Sequence, residues 1–163
     1  MNLRRALPQD LPYILQLEQK FRNLGLLGGD EIDTHERQMS DPDCAYWIVE
    51  TEDGAAGFVI LRGLQSKNKC VELKRIAIAE PGRGLGRRVL SEIIKMAFSE
   101  LDAHRLWLDV FEHNVRARHV YRSMGFVEEG TLRECVKWQE LYRSLVVMSI
   151  LAEEYSTRRA PAQ

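Results

Sequence analysis

Hydrophobic positions along this chain recur with two periods, and the change from one period to the other separates strands from helices. Arg105–Phe111 has an apolar residue at every second position, which indicates a half-buried strand. Gly84–Leu101 has apolar residues three and four positions apart, which indicates an amphipathic helix with one broad apolar face. Asp53-Gly54 lies between two apolar runs, and this dipeptide predicts a hairpin turn.

The same criteria applied to the whole chain predict eleven elements. Strands are expected at Met1–Ala6, Ala45–Glu50, Ala55–Arg62, Val71–Ile78, Arg105–Phe111, Phe126–Arg133 and Leu141–Leu151. Helices are expected at Pro8–Phe21, Ile32–Ser40, Gly84–Leu101 and Asn114–Met124. This order favours the α+β class, with one domain over residues 1–155 and a flexible tail over 156–163.

Composition narrows the class of protein. A length of 163 residues with 45% hydrophobic content suits one domain with its own core. A net charge of −1 argues against a nucleic-acid-binding or membrane-surface protein. Cys44, Cys70 and Cys135 are far apart, which suggests free thiols in a reducing cytoplasm. The histidines lack metal-ligand spacing with these cysteines, and no apolar run is long enough to span a membrane, so neither a metal nor a membrane is expected.

A glycine-rich segment, Pro81–Arg88 (PGRGLGRR), connects a predicted strand to a predicted helix. Glycine in a helical turn costs about 1 kcal/mol relative to alanine, but it permits unusual backbone angles and close approach of a ligand. Backbone N–H groups at a helix start, flanked by Arg83, Arg87 and Arg88, would attract an anion. The phosphate of a nucleotide-like cofactor is the anion that this arrangement suggests.

Three interpretations of the glycine segment compete. A dinucleotide-binding loop has the pattern G-x-G-x-x-G, whereas here Arg87 takes the place of the last glycine. A P-loop requires G-x-x-x-x-G-K-[ST], which is absent from the sequence. A glycine-rich turn without a ligand is the third interpretation.

A second motif strengthens the cofactor interpretation. The pattern N-x-x-A-x-x-x-Y-x-x-x-G-F runs from Asn114 to Phe126 and follows the next predicted strand. Together with the glycine segment it resembles the acetyl-CoA-binding core of the GNAT N-acetyltransferase superfamily, from about Val71 to Gly130. Members of this family often have Gln or Arg at the position where this chain has Pro81. We expect this difference to weaken or reroute one phosphate contact.

The resemblance implies a GNAT-like domain with a mixed, mostly antiparallel sheet of about seven strands flanked by about four helices. It implies that acetyl-CoA is the co-substrate and that a primary amine attacks it directly in a ternary complex. The implied cofactor contacts are Ile76, Ala77, Ile78, Arg83, Gly84, Leu85, Gly86, Arg87, Arg88, Asn114, Ala117 and Arg118. The alternative is a non-catalytic acyl-CoA-binding module that acts as a sensor or partner.

Two residues are candidates for catalysis. Tyr121 would donate a proton to the departing thiolate, although its apolar helix face also suits a core tyrosine. Glu72 begins the strand before the glycine segment and would act as the base, although a solvated glutamate at a strand end is equally consistent with its position. Strict alternation would put Glu72 on the same face as Ile76 and Ile78 unless a bulge intervenes.

The identity of the acceptor is the least determined feature. By resemblance, Phe21–Asp33 and roughly Arg133–Tyr142 shape the acceptor pocket. Asp30, Glu31 and Asp33 would attract a cationic amine, either a small molecule or a peptide N-terminus. The same residues also suit a solvated acidic loop. A homodimer through the last strands is a further expectation from the resemblance.

Overall fold

The computed structural model describes residues 1–80, 82 and 84–159. Its strands are β1 (Asn2–Arg5), β2 (Cys44–Thr51), β3 (Gly54–Arg62), β4 (Cys70–Ile78), β5 (Arg105–Phe111), β6 (Val127–Trp138) and β7 (Leu141–Leu151). Its α-helices are α1 (Leu11–Asn23), α2 (Ile32–Ser40), α3 (Leu85–Ser99), α4 (Val115–Met124) and α5 (Ala152–Arg159), and a short 3₁₀ turn, Pro8–Asp10, precedes α1.

All strands belong to one seven-stranded sheet in the order β1-β2-β3-β4-β5-β7-β6. Neighbouring strands are antiparallel except β4 and β5, which run parallel and are joined through α3. This confirms the predicted α+β class and the mixed, mostly antiparallel sheet.

Helices cover both faces of the sheet. The apolar side chains of α1 pack on one face, where Ile14 and Leu17 join Phe58 and Ile60 of β3. The broad apolar face of α3 and the inner side of α4 pack on the other face, with Val59, Leu61 and the buried residues of β5 and β7. The core therefore has two layers separated by the sheet.

A β-bulge in β4 reverses which face its side chains occupy. Ile60 pairs with Arg75, but the next β3 residue, Leu61, pairs with Leu73, so Lys74 is the extra residue. Before the bulge, Leu73 belongs to the α3 layer, whereas after it Ile76 contacts that layer. Glu72 therefore lies on the opposite face from Ile76 and Ile78, and the strict alternation considered for these residues is wrong.

The two parallel strands separate soon after they begin. β4 pairs with β5 over three register positions only, from Cys70–Arg105 to Glu72–Trp107. The remaining residues of β4 bond to β3, and all of β5 bonds to β7. A wedge-shaped gap therefore opens between the carboxyl-terminal ends of β4 and β5.

The C-terminal segment differs from the expected tail. The helix α5 runs through Arg159, so it includes residues 156–159, which the sequence suggested were flexible. Tyr155 stacks on Phe98 with ring centroids 4.8 Å apart, and this contact holds the helix against α3. Residues 160–163 lie outside the described part of the chain.

Candidate active site

A cavity of about 750 Å³ lies where β4 and β5 separate. Its size is in the range of small-molecule sites. The end of β4, the glycine segment, the first turn of α3 and one side of α4 contribute part of its lining. The rest comes from the end of α1, the loop that follows α1, and residues of β5, β6 and β7. Both motifs from the sequence therefore meet in one cavity.

The described part of the glycine segment leads into the first turn of α3. Gly84 is the N-cap residue with φ +73°, a left-handed conformation that strongly favours glycine. The N–H groups of Arg87 and Arg88 donate to the carbonyl of Gly84, so these two donors are already used within the helix. The N–H groups of Leu85 and Gly86 precede them and have no acceptor inside the helix.

The described residues of this segment differ in whether they line the cavity. Gly84, Gly86 and Arg87 line the cavity, whereas Leu85 packs towards the core and Arg88 is exposed outside the lining. Arg83, which was also predicted to contact the cofactor, lies outside the described residues. The described segment thus presents bare backbone and at least one cation, a combination that suits a phosphate group.

The edge of β4 offers backbone groups to the gap. The N–H of Ala79 donates to the carbonyl of Ala56 in β3 at 2.9 Å. Because backbone groups alternate in direction along a strand, Ala77 also points to β3, whereas Ile76 and Ile78 point into the gap. The side chains of Ile76 and Ile78 line the cavity, and that of Ala77 is buried in the opposite layer. Of the backbone N–H groups of Ala77 and Ile78, that of Ile78 is therefore the one that faces the gap.

The N-terminal half of α4 forms another side of the cavity. The side chain of Asn114 caps the helix by accepting a hydrogen bond from the N–H of Ala117 at 3.1 Å. Both residues line the cavity. Arg118 does not line it, because its guanidinium pairs with Glu128 at 3.0 Å and donates to the carbonyl of Glu112 at 2.9 Å. Its expected contact with the cofactor therefore requires breaking these bonds.

Tyr121 lies on the cavity side of α4 and also packs against the α3 layer. Burial, assisted by the negative charge of Asp109, raises the pKa of Tyr121 to about 12. The phenol therefore keeps its proton at neutral pH and is available as a hydrogen-bond donor in the cavity.

Glu72, the predicted base, is not among the residues that line this cavity. The bulge at Lys74 turns it to the other face, where its carboxylate lies 3.9 Å from Arg62 and 3.7 Å from Lys74. It lines a separate depression with Arg62 and Trp107. The structure thus separates Glu72 from Tyr121, and no residue pattern in the sequence indicates the bulge.

Asp109 is the carboxylate that sequence reasoning missed. Among the described lining residues it is the single acidic side chain, beside five basic ones: Lys20, Lys74, Arg75, Arg87 and Arg116. It lies in β5 next to the gap, and its charge acts on Tyr121. The alternation of β5 identifies its apolar face, and it therefore also shows that Asp109 lies on the opposite face. The cavity that Asp109 lines depends on the separation of β4 and β5, which the sequence does not show.

Apolar side chains complete the lining, and we call this set the acceptor wall. It consists of Phe21, Leu24, Leu26, Leu27, Val136 and Leu145. The loop that carries three of these leucines is fixed to its surroundings, since the carbonyl of Gly25 accepts a hydrogen bond from His113 at 2.7 Å. The acidic side chains of Glu31 and Asp33 from the same region do not line the cavity.

A buried ionic network anchors this loop. The carboxylate of Glu18, 3% exposed, accepts hydrogen bonds from Arg75 Nε and from the backbone N–H of Asp30, each at 3.1 Å. His35 is fully buried and places Nε2 3.1 Å from the same carboxylate. Burial alone would raise the pKa of Glu18, but the hydrogen bond to His35 and the charge of Arg75 outweigh it and lower that pKa.

Comparison with known proteins agrees with this arrangement. The model of the acetyltransferase (GNAT) family matches residues 11–126, and the chain belongs to this family. The spermidine N(1)-acetyltransferase of Escherichia coli is 28% identical over 133 residues, which are 80% of this chain and 72% of that protein. The structure of the spermidine N-acetyltransferase of Vibrio cholerae in complex with CoA and spermine has a TM-score of 0.83 at 26% identity, over 95% of this chain and 97% of that one.

The chain is therefore an acetyl-CoA-dependent N-acetyltransferase that acts on an amine. The non-catalytic binding module considered as an alternative is not favoured. In the described part of the chain, no helix has the length and apolar character needed to cross a membrane.

Proposed function

We propose that this protein transfers the acetyl group of acetyl-CoA to the primary amine of a small molecule, inside the cavity between β4 and β5. The observation that carries this proposal is the meeting of the β4 edge, the glycine segment and Tyr121 around one gap. The C–S bond of the thioester breaks and a C–N bond forms. An ammonium substrate gives an amide, free thiol and one proton that leaves to solvent.

The cofactor would extend along the gap. The N–H groups of Leu85 and Gly86 and the side chain of Arg87 would hold its pyrophosphate, since anions bind at helix starts. The backbone of Ile76 and Ile78 would pair with its extended arm as an added strand. Asn114 and Ala117 would contact the same arm from α4.

Charge that develops during the reaction needs two donors. The N–H of Ile78 would stabilise the carbonyl oxygen as it becomes negative, a contribution of about 3 to 4 kcal/mol when the geometry is favourable. Tyr121 would donate its proton towards the sulfur as the thiolate leaves. A phenol with a pKa near 12 remains protonated until that moment, which suits a donor and not a base.

The absence of a thiol nucleophile in the described lining supports direct attack. Cys44 and Cys135 line neither cavity, and Cys70 lines the depression around Glu72. Acetyl transfer would therefore need both substrates bound together. Initial rates measured against both substrates should give intersecting lines, whereas parallel lines would indicate an acetylated enzyme and contradict this step.

The cofactor itself is tested by thermal unfolding with acetyl-CoA, with NADH and ATP as controls. A ligand at about 100 times its Kd adds about 2.7 kcal/mol to the free energy of unfolding. In a domain of this size that corresponds to several degrees. A rise with acetyl-CoA alone supports the proposal, whereas a rise with NADH or ATP alone, or no rise, would refute it.

The acceptor needs its own assay. Spermidine is the first amine to test, because the names of several relatives specify it. Release of free thiol with each amine, followed by mass measurement of the product, identifies the acetylated compound. A product found only with peptide N-termini would contradict the small-molecule proposal.

We also propose that two copies associate through β6. This strand is one of the two edges of the sheet, and Val127 and Leu132 on it are each 49% exposed. Long edge strands with exposed apolar side chains are usually covered in natural proteins. Sedimentation should report a dimer that Leu132→Lys dissociates, and a monomer at micromolar concentration would contradict it.

A further inference from the structure

The charges around the cavity do not suit an acceptor with several ammonium groups. Five basic side chains and one acidic side chain, Asp109, occur among the described lining residues. The nearby acids are already paired: Glu18 and Asp30 lie 3.1 Å and 3.5 Å from Arg75, and Glu72 lies 3.7 Å from Lys74. A cation that enters the cavity therefore finds one carboxylate that is not used in these pairs.

The acceptor wall suits an apolar group instead. Its six side chains are all aliphatic or aromatic, and they come from α1, the loop after it, β6 and β7. An ammonium placed against such a surface loses hydration without gaining a partner, whereas an alkyl or aryl group gains stability from the same burial. The backbone N–H of Asp30, in the loop beside this wall, already donates to Glu18.

Asp109 is suitably placed to receive a single ammonium. It lies on β5 at the edge of the gap, and its charge is close enough to Tyr121 to raise the pKa of that phenol. A carboxylate there would bring the amine nitrogen to the side of the gap where the thioester is expected. The rest of the acceptor would then extend over the acceptor wall.

We propose that the preferred acceptor is a small monoamine with an apolar body, and that Asp109 binds its ammonium group. This inference rests on the proposed function, because it assumes that an amine is acetylated in this cavity. It differs from the polyamine acceptors that the names of relatives specify.

A matched pair of acceptors tests the inference. Hexylamine and 1,6-diaminohexane have the same carbon chain and differ by one ammonium group at the far end. Thiol release at saturating acetyl-CoA gives kcat/KM for each, with 2-phenylethylamine and spermidine as further members of the series. We expect hexylamine and 2-phenylethylamine to exceed 1,6-diaminohexane and spermidine by at least tenfold.

Two substitutions then test the separate roles of Asp109 and of the acceptor wall. Asp109→Asn should raise the KM for hexylamine at least tenfold while the Kd for acetyl-CoA stays within twofold. Leu24, 60% exposed, tolerates a polar residue. Leu24→Glu should therefore narrow the preference for hexylamine over 1,6-diaminohexane at least threefold, and Leu24→Gln, its uncharged control, should not.

The outcomes are distinguishable. Preference for 1,6-diaminohexane or spermidine would overturn the inference and leave the proposed function intact. An unchanged hexylamine KM in Asp109→Asn would remove Asp109 from the amine site. No turnover with any amine of the series, although acetyl-CoA binds, would overturn the proposed function and the inference together.

Discussion

Replacing Glu18 by Gln should destabilise the fold strongly, because the carboxylate is the shared partner of two buried groups. Glu18 is 3% exposed, Arg75 is 8% exposed and His35 is fully buried. The Gln side chain has nearly the same shape but no charge. It would leave the Arg75 guanidinium with the Asp30 carboxylate at 3.5 Å as its remaining partner in this network.

The expected loss follows from this burial. Removing one member of a buried ion pair costs about 3–5 kcal/mol, and the Asp30 carboxylate, at 3.5 Å from Arg75, replaces Glu18 only in part. In a domain of this size each kcal/mol lowers Tm by about 2–4 °C, so a decrease of about 6–20 °C is expected. The acceptor KM should rise more than the acetyl-CoA KM, because Glu18 also binds the N–H of Asp30.

Urea unfolding at pH 7 measures this effect. Glu36→Gln is the matched control, since Glu36 is an exposed residue of α2 and surface substitutions usually change stability by less than about 0.5 kcal/mol. The m value should be the same in all three proteins. A loss below about 1 kcal/mol for Glu18→Gln, or a loss equal to that of Glu36→Gln, would refute the reasoning.

The native protein and Glu18→Gln should also differ in how their free energy of unfolding depends on pH. The pKa of Glu18 is lower in the folded protein than its ordinary value of 4.5. The ionised carboxylate therefore stabilises the fold above pH 4.5, and this contribution is lost as the pH falls through the lowered pKa. The difference in stability between the native protein and Glu18→Gln should shrink in that acidic range, and a constant difference would contradict the assignment.

Three further predictions concern the cavity. Gly86→Val adds a side chain where a Cβ would already lie 3.8 Å from Ile78, so the Kd for acetyl-CoA should rise at least tenfold in calorimetry; Gly130→Ala, in open space on β6, should leave it unchanged. Glu72→Gln should keep kcat/KM within about twofold, because Glu72 lies outside the cavity, and a hundredfold loss would reinstate it as the base. The raised pKa of Tyr121, about 12, means that its proton does not limit turnover below pH 10. The profile of kcat/KM should therefore rise with deprotonation of the amine and show no alkaline fall, and a fall that disappears in Tyr121→Phe would contradict this.

Local patterns predicted most of the fold. The alternation in β5 and the three- and four-residue spacing in α3 reflect burial of one face, which is a local property of sequence. Gly84 before α3 and Asn114 before α4 occupy N-cap positions, where backbone chemistry decides the residue type. These cap residues belong to the two motifs that lie next to the gap.

The bulge and the splay of the strands could not be predicted in this way. Lys74 has no residue signature of a bulge, yet it decides that Glu72 faces away from Ile76. Asp109 faces a cavity that exists because β4 and β5 part after three pairs. The helix over 152–159 depends on stacking of Tyr155 on Phe98, a contact between residues far apart in sequence.

The central claim is that Tyr121 acts at the departing sulfur in the gap between β4 and β5. Tyr121→Phe removes the hydroxyl and keeps the ring that packs on Phe126. We expect kcat to fall by about 10² to 10⁴, as for other proton donors, while the Kd for acetyl-CoA stays within twofold. Unchanged kcat with an amine that the native enzyme acetylates would contradict the account.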